Sequence, residues 1–300
     1  MKTVDLFAGC GGLSLGFQNQ GFEIVSAFEW WDSAVKCYQA NFSHPVYQMD
    51  LSDTDNVIPL IEQMKPDIII GGPPCQDYSS AGKRVEAGRA TLTDSFAEIV
   101  SRIQPRFFVM ENVDRAKISK TYAAAREKFK NAGYGLTEIV LDASLCGAPQ
   151  KRKRFICFGM LGQEDNFALS AFVSRQSQKP TTLRDYFGDS LGFEYYYRHP
   201  RNYSRRAIFS IDEPAPTMRG VNRPVPKGYP GHPNDACPVD ENTHALTTKE
   251  RALIQTFPAS FEWIGSKTDV EQMIGNAVPV KLAEYVAETV KLIAEGTNND

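Results

Sequence analysis

A thiol at the end of a stiff arm is the first feature of this sequence that could do chemistry. In Asp67-Ile68-Ile69-Ile70-Gly71-Gly72-Pro73-Pro74-Cys75-Gln76, three β-branched residues without polar partners read as a strand covered on both faces. Two glycines let the backbone turn sharply or approach a ligand, and two prolines fix φ just ahead of Cys75. A thiolate held there would be a nucleophile. A lone cysteine is more often a small buried hydrophobe, so the weight rests on its companions. Glu29 follows an apolar run at 22–28, Asp50 follows one at 45–49, and Glu111 follows one at 106–110. Acids and a thiol at the carboxyl ends of successive strands fall where open α/β sheets bind their ligands. The basic run Lys151-Arg152-Lys153-Arg154 suits a solvated face or a phosphate.

The elements that must hold these groups alternate. Residues 4–8 read as a first strand, and Gly9-Cys10-Gly11-Gly12 as a turn into a helix near Leu13. A dinucleotide fingerprint would need a third glycine where Ser14 stands, so the turn departs from that pattern. Glu29 lies 20 residues after Gly9, the spacing at which such folds place a carboxylate for ribose hydroxyls. Helices are expected at 33–41, 56–64, 94–104 and 122–132, the last closed by Gly133. Two late strands are expected at 136–141 and 155–160. A mobile basic loop at 78–92 stands beside the thiol, and helical order returns at 247–257 and 277–294. In the last of these, Leu282, Val286, Val290 and Ile293 form a core stripe.

Composition bounds the rest. The chain has 300 residues, 42% hydrophobic and 23% charged, with a net charge of −3. That size allows one large core with a smaller second domain, and that charge argues against coating nucleic acid wholesale. No C-x-x-C pair occurs among the six cysteines, which points away from zinc and disulfides toward a reducing cytoplasm. No signal-peptide layout or membrane-length apolar run is present, so a soluble intracellular protein is expected.

From about 161 to 242 the regular alternation is lost. Residues 198–227 hold six arginines and one lysine against Asp212 and Glu213, a local net of +5, interleaved with Tyr203 and preceded by Tyr195, Tyr196 and Tyr197. This stretch reads as a separate small domain suited to phosphates and base edges.

Six ordered motifs then name a family. Asp5-Leu6-Phe7-Ala8-Gly9-Cys10-Gly11-Gly12, Gly71-Gly72-Pro73-Pro74-Cys75-Gln76, Glu111-Asn112-Val113, Gln150-x-Arg152-x-Arg154, Leu246-Thr247 with Glu250 and Gln255-x-Phe257-Pro258, and Gly275-Asn276-Ala277-Val278-Pro279 resemble those of the DNA cytosine-5 methyltransferases. The resemblance implies a Rossmann-like, S-adenosylmethionine-dependent α/β sheet with a small, irregular target-recognition domain. The catalytic part would be 1–162 and 274–300, and the recognition part 163–273.

It also implies roles. Carbon 5 of cytosine is a poor nucleophile until a thiolate adds to carbon 6, and Cys75 is that thiolate by resemblance. Glu111 protonates or hydrogen-bonds ring nitrogen 3, Arg154 holds the carbonyl oxygen, and Arg152 orients the catalytic loop or a substrate phosphate. For S-adenosylmethionine, Phe7, Gly9 and Gly11 line the first turn, Glu29 takes the ribose and Trp30 packs on the cofactor. Asp50 and Leu51 read the adenine, Pro74 backs the methyl donor, and Asn276 with Val278 closes the pocket. The substrate is double-stranded DNA, with the cytosine rotated out of the stack. Ser79 and Arg89 belong to the loop that closes over it, with Arg89 on phosphate, and Thr217-Met218 matches the family's Thr-hydrophobic pair. Arg205, Arg206, Arg219 and Arg223 are candidates for guanine or phosphate contacts.

Arg89 departs from the family's arginine-glycine pair, because Ala90 follows it. Three alternatives are weighed. Methylation of exocyclic amines needs an Asp/Asn-Pro-Pro-aromatic motif, which Gly72-Pro73-Pro74-Cys75 excludes. The tRNA-modifying branch carries a Cys-Phe-Thr signature, whereas Cys157-Phe158 is followed by Gly159. A non-catalytic DNA-binding regulator would have no reason to keep Cys75 with Glu111. The expected enzyme is a prokaryotic or phage modification methyltransferase acting as a monomer, with a restriction endonuclease of the same site as its functional counterpart.

Overall fold

The computed structural model describes residues 1–74, 92–200, 202, 204–240 and 243–296. Strands and helices alternate through the first half: β1 (Lys2–Leu6), α1 (Gly12–Asn19), β2 (Glu23–Glu29), α2 (Asp32–Asn41), β3 (Val46–Gln48), α3 (Thr54–Met64), β4 (Ile68–Gly71), α4 (Leu92–Ile103), β5 (Phe107–Val113), α5 (Lys120–Asn131) and β6 (Tyr134–Asp142). A two-residue β7 (Gln150–Lys151) stands outside the main sheet, which the long β8 (Lys153–Leu161) completes. The main sheet has seven strands in the order β3-β2-β1-β4-β5-β8-β6. The first five are mutually parallel, and β8 runs antiparallel to both β5 and β6.

Alternation along the central strands explains both faces. Ile68 and Ile70 of β4 pack with Leu13 and Phe17 of α1, whereas Ile69 packs with Phe96 of α4 and Ile58 and Ile61 of α3. A strand buried on both faces is apolar at every position, which is why 68–70 reads as one run. Chain order reverses between β1 and β4, so the loops after these two strands meet at a topological switch point.

The second half is built of small pieces: α6 (Leu169–Ser174), α7 (Leu183–Phe187), β9 (Tyr195–Tyr197), β10 (Ile208–Ser210), β11 (Ala215–Pro216), β12 (His244–Ala245), α8 (Thr248–Ile254), α9 (Lys267–Asn276) and α10 (Val280–Gly296). A three-stranded sheet, β10-β9-β12, covers a core of Leu183, Tyr196, Phe209, Ile211, Met218 and Leu246. β11 pairs with β7, so Ala215 and Pro216 are stitched to the segment just ahead of β8. Helix α10 returns to α1, where a Cβ on Gly16 would run into Ala283. Its expected stripe is core: Leu282, Val286 and Val290 are buried, and Ile293 is partly buried against them.

Two expectations change. β1 ends at Leu6 rather than at residue 8, because Phe7 takes a left-handed backbone with φ 58. The segment before Gly275 is a helix, α9, begun by Ser266 accepting the Asp269 N–H. Residues Phe257, Phe261, Val270, Met273 and Ile274 pack with Cys10, Ala34 and Cys37 of the first half. Among the described residues, no helix is long and apolar enough to cross a membrane.

Candidate active site

The site is assembled at the carboxyl ends of β1, β2, β4 and β5 around a cavity of about 870 Å³. The turn after β1 enters it through backbone strain. Phe7 sits at φ 58, where a side chain costs about 1–2 kcal/mol, and Gly9 follows at φ 56. Such strain persists where the surroundings over-determine it. Here the Glu29 carboxylate does so: one oxygen accepts the Gly9 N–H at 2.8 Å, and the other accepts the Trp30 and Trp31 N–H groups at 2.8 Å each. Gly11, at φ 96, starts α1 with no room for a Cβ beside the Phe42 ring; it shapes the turn from behind, and Gly12 and Leu13 line the cavity beside it.

Phe7, Gly9, Glu29, Trp30, Asp50, Leu51, Pro74, Asn276 and Val278 all line the one cavity. Trp30 is 66% exposed, a large ring left beside an open wall. Asp50 accepts both the N–H and the hydroxyl of Ser52, at 2.9 and 2.7 Å.

Asp5 is an acid that the sequence reading passed over. It is fully buried and lines the cavity, with one oxygen accepting the Ser14 hydroxyl at 2.6 Å and the other without a hydrogen-bond partner. Burial pushes its pKa up to about 7, opposed by the Ser14 hydrogen bond and aided by the charge of Glu29. Ser14 in turn accepts from Tyr38, whose hydroxyl meets His44 at 2.6 Å. Its sequence signals were its place at the head of the first motif and its charge between the apolar Val4 and Leu6.

Glu111 and Arg154 come together through strand register. In the antiparallel pair, Val113 faces Arg154 and Glu111 faces Ile156, so Glu111 and Arg154 are diagonal neighbours on one face. Arg154 Nε lies 2.7 Å from Glu111 Oε1, with both side chains nearly buried. Burial raises the Glu111 pKa, while the charges of Arg154 and Arg152 and the Arg154 hydrogen bond oppose the rise. A Cβ on Gly72 would stand 3.1 Å from Glu111 Oε2, so the strand carrying the Pro-Pro arm passes tight against this carboxyl. Asn112 ties the two strand ends, its amide donating to the Pro73 carbonyl at 3.0 Å.

Arg152 is 1% exposed and acts inward. It donates to the Met218 carbonyl at 2.9 Å and the Gly275 carbonyl at 2.8 Å, so it joins backbone to backbone where it lines the cavity. Gln150, fully buried, also holds Met218, its Oε1 accepting the Met218 N–H at 2.9 Å.

The expected DNA-facing residues divide. Thr217 donates its hydroxyl to the Lys151 carbonyl at 2.8 Å. Arg206 pairs with Glu213 and lies over the Phe209 ring, and Arg219 donates to the His199 carbonyl. Arg205 and Arg223 are exposed. Cys75, Ser79 and Arg89 lie outside the described residues.

With this geometry established, similarity to known proteins is informative. Residues 1–292 match C-5 cytosine-specific DNA methylase. The chain is 56% identical to the Type II methyltransferase M.HindV of Haemophilus influenzae over 292 residues, covering 97% of this chain and 96% of the relative. It is 54% identical to the Type II methyltransferase M.HgiDI of Herpetosiphon aurantiacus, covering 97% and 94%. Among solved structures, the Schizosaccharomyces pombe Dnmt2 methyltransferase has the same fold, with a TM-score of 0.71 at 18% identity and 99% of each chain covered. Motif order, strand register and near-complete coverage agree, and the chain belongs to the C-5 cytosine-specific DNA methylase family.

Proposed function

We propose that the cavity binds S-adenosylmethionine and that Cys75, Glu111 and Arg154 act on a cytosine rotated out of duplex DNA. The observation that carries this reading is the buried Glu111–Arg154 pair at one wall of the cavity, pressed against the strand that leads to Cys75.

The cofactor's groups fit the walls. It carries an ammonium and two ribose hydroxyls, all hydrogen-bond donors, and the cavity offers the unpartnered Asp5 oxygen together with Glu29 and Asp50. Phe7, Trp30, Leu51 and Val278 supply apolar surface for an adenine. When bound, S-adenosylmethionine supplies the methyl group as an electrophile.

On the substrate side, the Cys75 thiolate forms a bond to carbon 6, and electron density moves through the ring toward carbon 5 and nitrogen 3. Glu111, whose pKa burial raises against the pull of Arg154 and Arg152, donates a hydrogen bond or its proton to nitrogen 3. That stabilises the charge where it develops. The guanidinium of Arg154 holds Glu111 in place through Nε, donates through Nη1 to the Lys153 carbonyl, and presents Nη2 to the cytosine carbonyl. With carbon 5 methylated, loss of its proton to a base restores the carbon 5–carbon 6 double bond and breaks the carbon 6–sulfur bond, expelling the thiolate. Nitrogen 3 returns any proton to Glu111.

The catalytic and recognition parts follow the packing. Because residues 257–274 bury their apolar side chains on α1 and α2, we place the second boundary of the recognition part near 246 rather than 273. Thr217, Arg205 and Arg223 are the proposed DNA-facing residues of that part. A restriction endonuclease reading the same site is the proposed functional counterpart, as the Type II names of the relatives suggest.

The test uses labelled S-adenosylmethionine and a duplex pool containing 5-fluorocytosine. Fluorine cannot leave carbon 5 as a proton does, so the thiol–ring bond is trapped. The expected result is a denaturation-resistant adduct that Cys75→Ser abolishes, and sequencing of the captured DNA gives the recognition site. Label entering tRNA with no adduct on duplex would overturn the DNA reading.

A further inference from the structure

We infer that Glu271 and Asn222 are positioning residues of a joint that couples recognition of the DNA site to cofactor binding. The inference rests on the reading above, in which the cavity takes S-adenosylmethionine and Thr217 and Arg223, at the two ends of one short segment, face DNA.

The joint is a set of contacts between one stretch of the recognition part and one helix. Glu271, on α9, is 4% exposed. Its carboxylate pairs with Arg251 Nε at 2.8 Å and accepts the Asn222 amide at 3.0 Å and the Thr248 hydroxyl at 2.7 Å. Arg251, equally buried, turns its other nitrogens onto the Val221 and Arg219 carbonyls. A buried ion pair gains little net stability from the charges themselves unless its geometry and remaining hydrogen bonds are satisfied. Here three of those remaining bonds go to residues 219–222, so the pair's main product is the position of that segment.

One turn further along α9, Gly275 meets the same segment. A Cβ on Gly275 would run into the Gly220 backbone, and a Cβ on Gly220 would run into the Gln272 amide. The Gln272 side chain could turn away, but the backbone could not, so it is Gly275 that this crossing requires. Gln272 also donates to the Asn276 side chain at 2.8 Å. Arg152 closes the joint by holding the Met218 and Gly275 carbonyls together. The stretch that leaves this contact, Gly275 to Val278, is cavity wall.

A displacement of residues 218–222 on DNA therefore moves the wall against which the cofactor lies, and a filled cavity restrains the segment. Packed contacts of this kind shift together rather than deform one at a time. Coupling of two binding events is reciprocal, and its usual size is about 5–150-fold in affinity.

The experiment measures S-adenosylhomocysteine affinity by calorimetry, with and without the duplex that the enzyme methylates, for the full chain. In the parent, the duplex tightens binding at least about fivefold. In Asn222→Ala the ratio of the two affinities shrinks at least threefold, and in Thr248→Ala, which touches Glu271 but not the segment, it stays at the parent value. Glu271→Gln behaves as Asn222→Ala does. A residue that merely supports the fold would weaken both affinities and leave the ratio unmoved. An unchanged ratio in folded Asn222→Ala, or no tightening in the parent, overturns the joint. A parent that binds neither probe brings down the functional reading, and the joint with it.

Discussion

The two halves of this molecule place charged side chains by different means. In the first half, charge sits where strands end. Glu29 ends β2, Asp50 follows β3 and Glu111 lies near the end of β5, all at the carboxyl edge of one sheet whose hydrogen bonds set that edge. In the second half the strands are two or three residues long, too short to position anything alone. Order there comes from side chains gripping backbone carbonyls: Arg152 on Met218, Arg251 on Val221, Arg198 on Thr217, Arg219 on His199. A basic sequence on an irregular framework is therefore partly its own scaffold. Burial, rather than charge, distinguishes an arginine holding the chain from one available to a ligand.

The largest effect expected from breaking this comparison lies on the catalytic side. Glu111→Gln keeps the shape of the group and removes its proton chemistry. The turnover number should fall about 10²–10⁴-fold, the range in which general acid catalysis contributes, with cofactor affinity nearly unchanged. Because burial raises the Glu111 pKa, parent activity should decline as pH rises through that raised value. The substitution should remove this decline, so pH–rate profiles of both proteins make the check. A variant that keeps full turnover would relieve Glu111 of its role.

Asp5 offers the next largest effect, in stability. Its pKa is raised from 3.8 to about 7 chiefly by burial, so between those pH values the folded protein holds a proton that the unfolded chain has released. The stabilisation is complete below pH 3.8 and lost as pH rises through about 7, a span worth ~4 kcal/mol at 1.36 kcal/mol per pH unit. Asp5→Asn should flatten that slope in denaturant titrations run from pH 4 to 7. S-adenosylhomocysteine, supplying a donor to the orphan oxygen, should restore stability to the parent at neutral pH more than to the variant.

Legibility in the sequence follows the same division. The apolar run at 68–70, the glycine turn at 9–12 and the stripe on α10 announce themselves because each is written in neighbouring residues, as an unbroken run, a cluster and a helical repeat. Cavity walls built from strand ends were accordingly recoverable, including Glu29 and Asp50. Register was not: nothing in the local sequence says that Val113 faces Arg154, yet that pairing makes the Glu111–Arg154 contact. Helix α9 was hidden because Gly275 argues locally against a helix, and its reason for being there, the Gly220 backbone, is 55 residues away. Arg152 and Gln150 could be tied to the family by motif, but their inward direction depends on carbonyls of a segment whose path the sequence leaves open.

The smallest expected effect sharpens the comparison most, because it separates two arginines that the sequence treats alike. Arg223 is exposed, whereas Arg206 is engaged with Glu213 and Phe209. If Arg223 neutralises a phosphate, Arg223→Ala should lower affinity for cognate and unrelated duplexes alike. It should also reduce the slope of log affinity against log salt by about 0.9, the value for one released contact on duplex DNA. If it reads a guanine instead, the loss should be about 1–3 kcal/mol and confined to the cognate site. Arg206→Ala should change neither slope nor site preference, and should act through the packing of Phe209 on the small core. The same salt slope for both variants would mean that exposure does not divide the scaffold arginines from the DNA-facing ones.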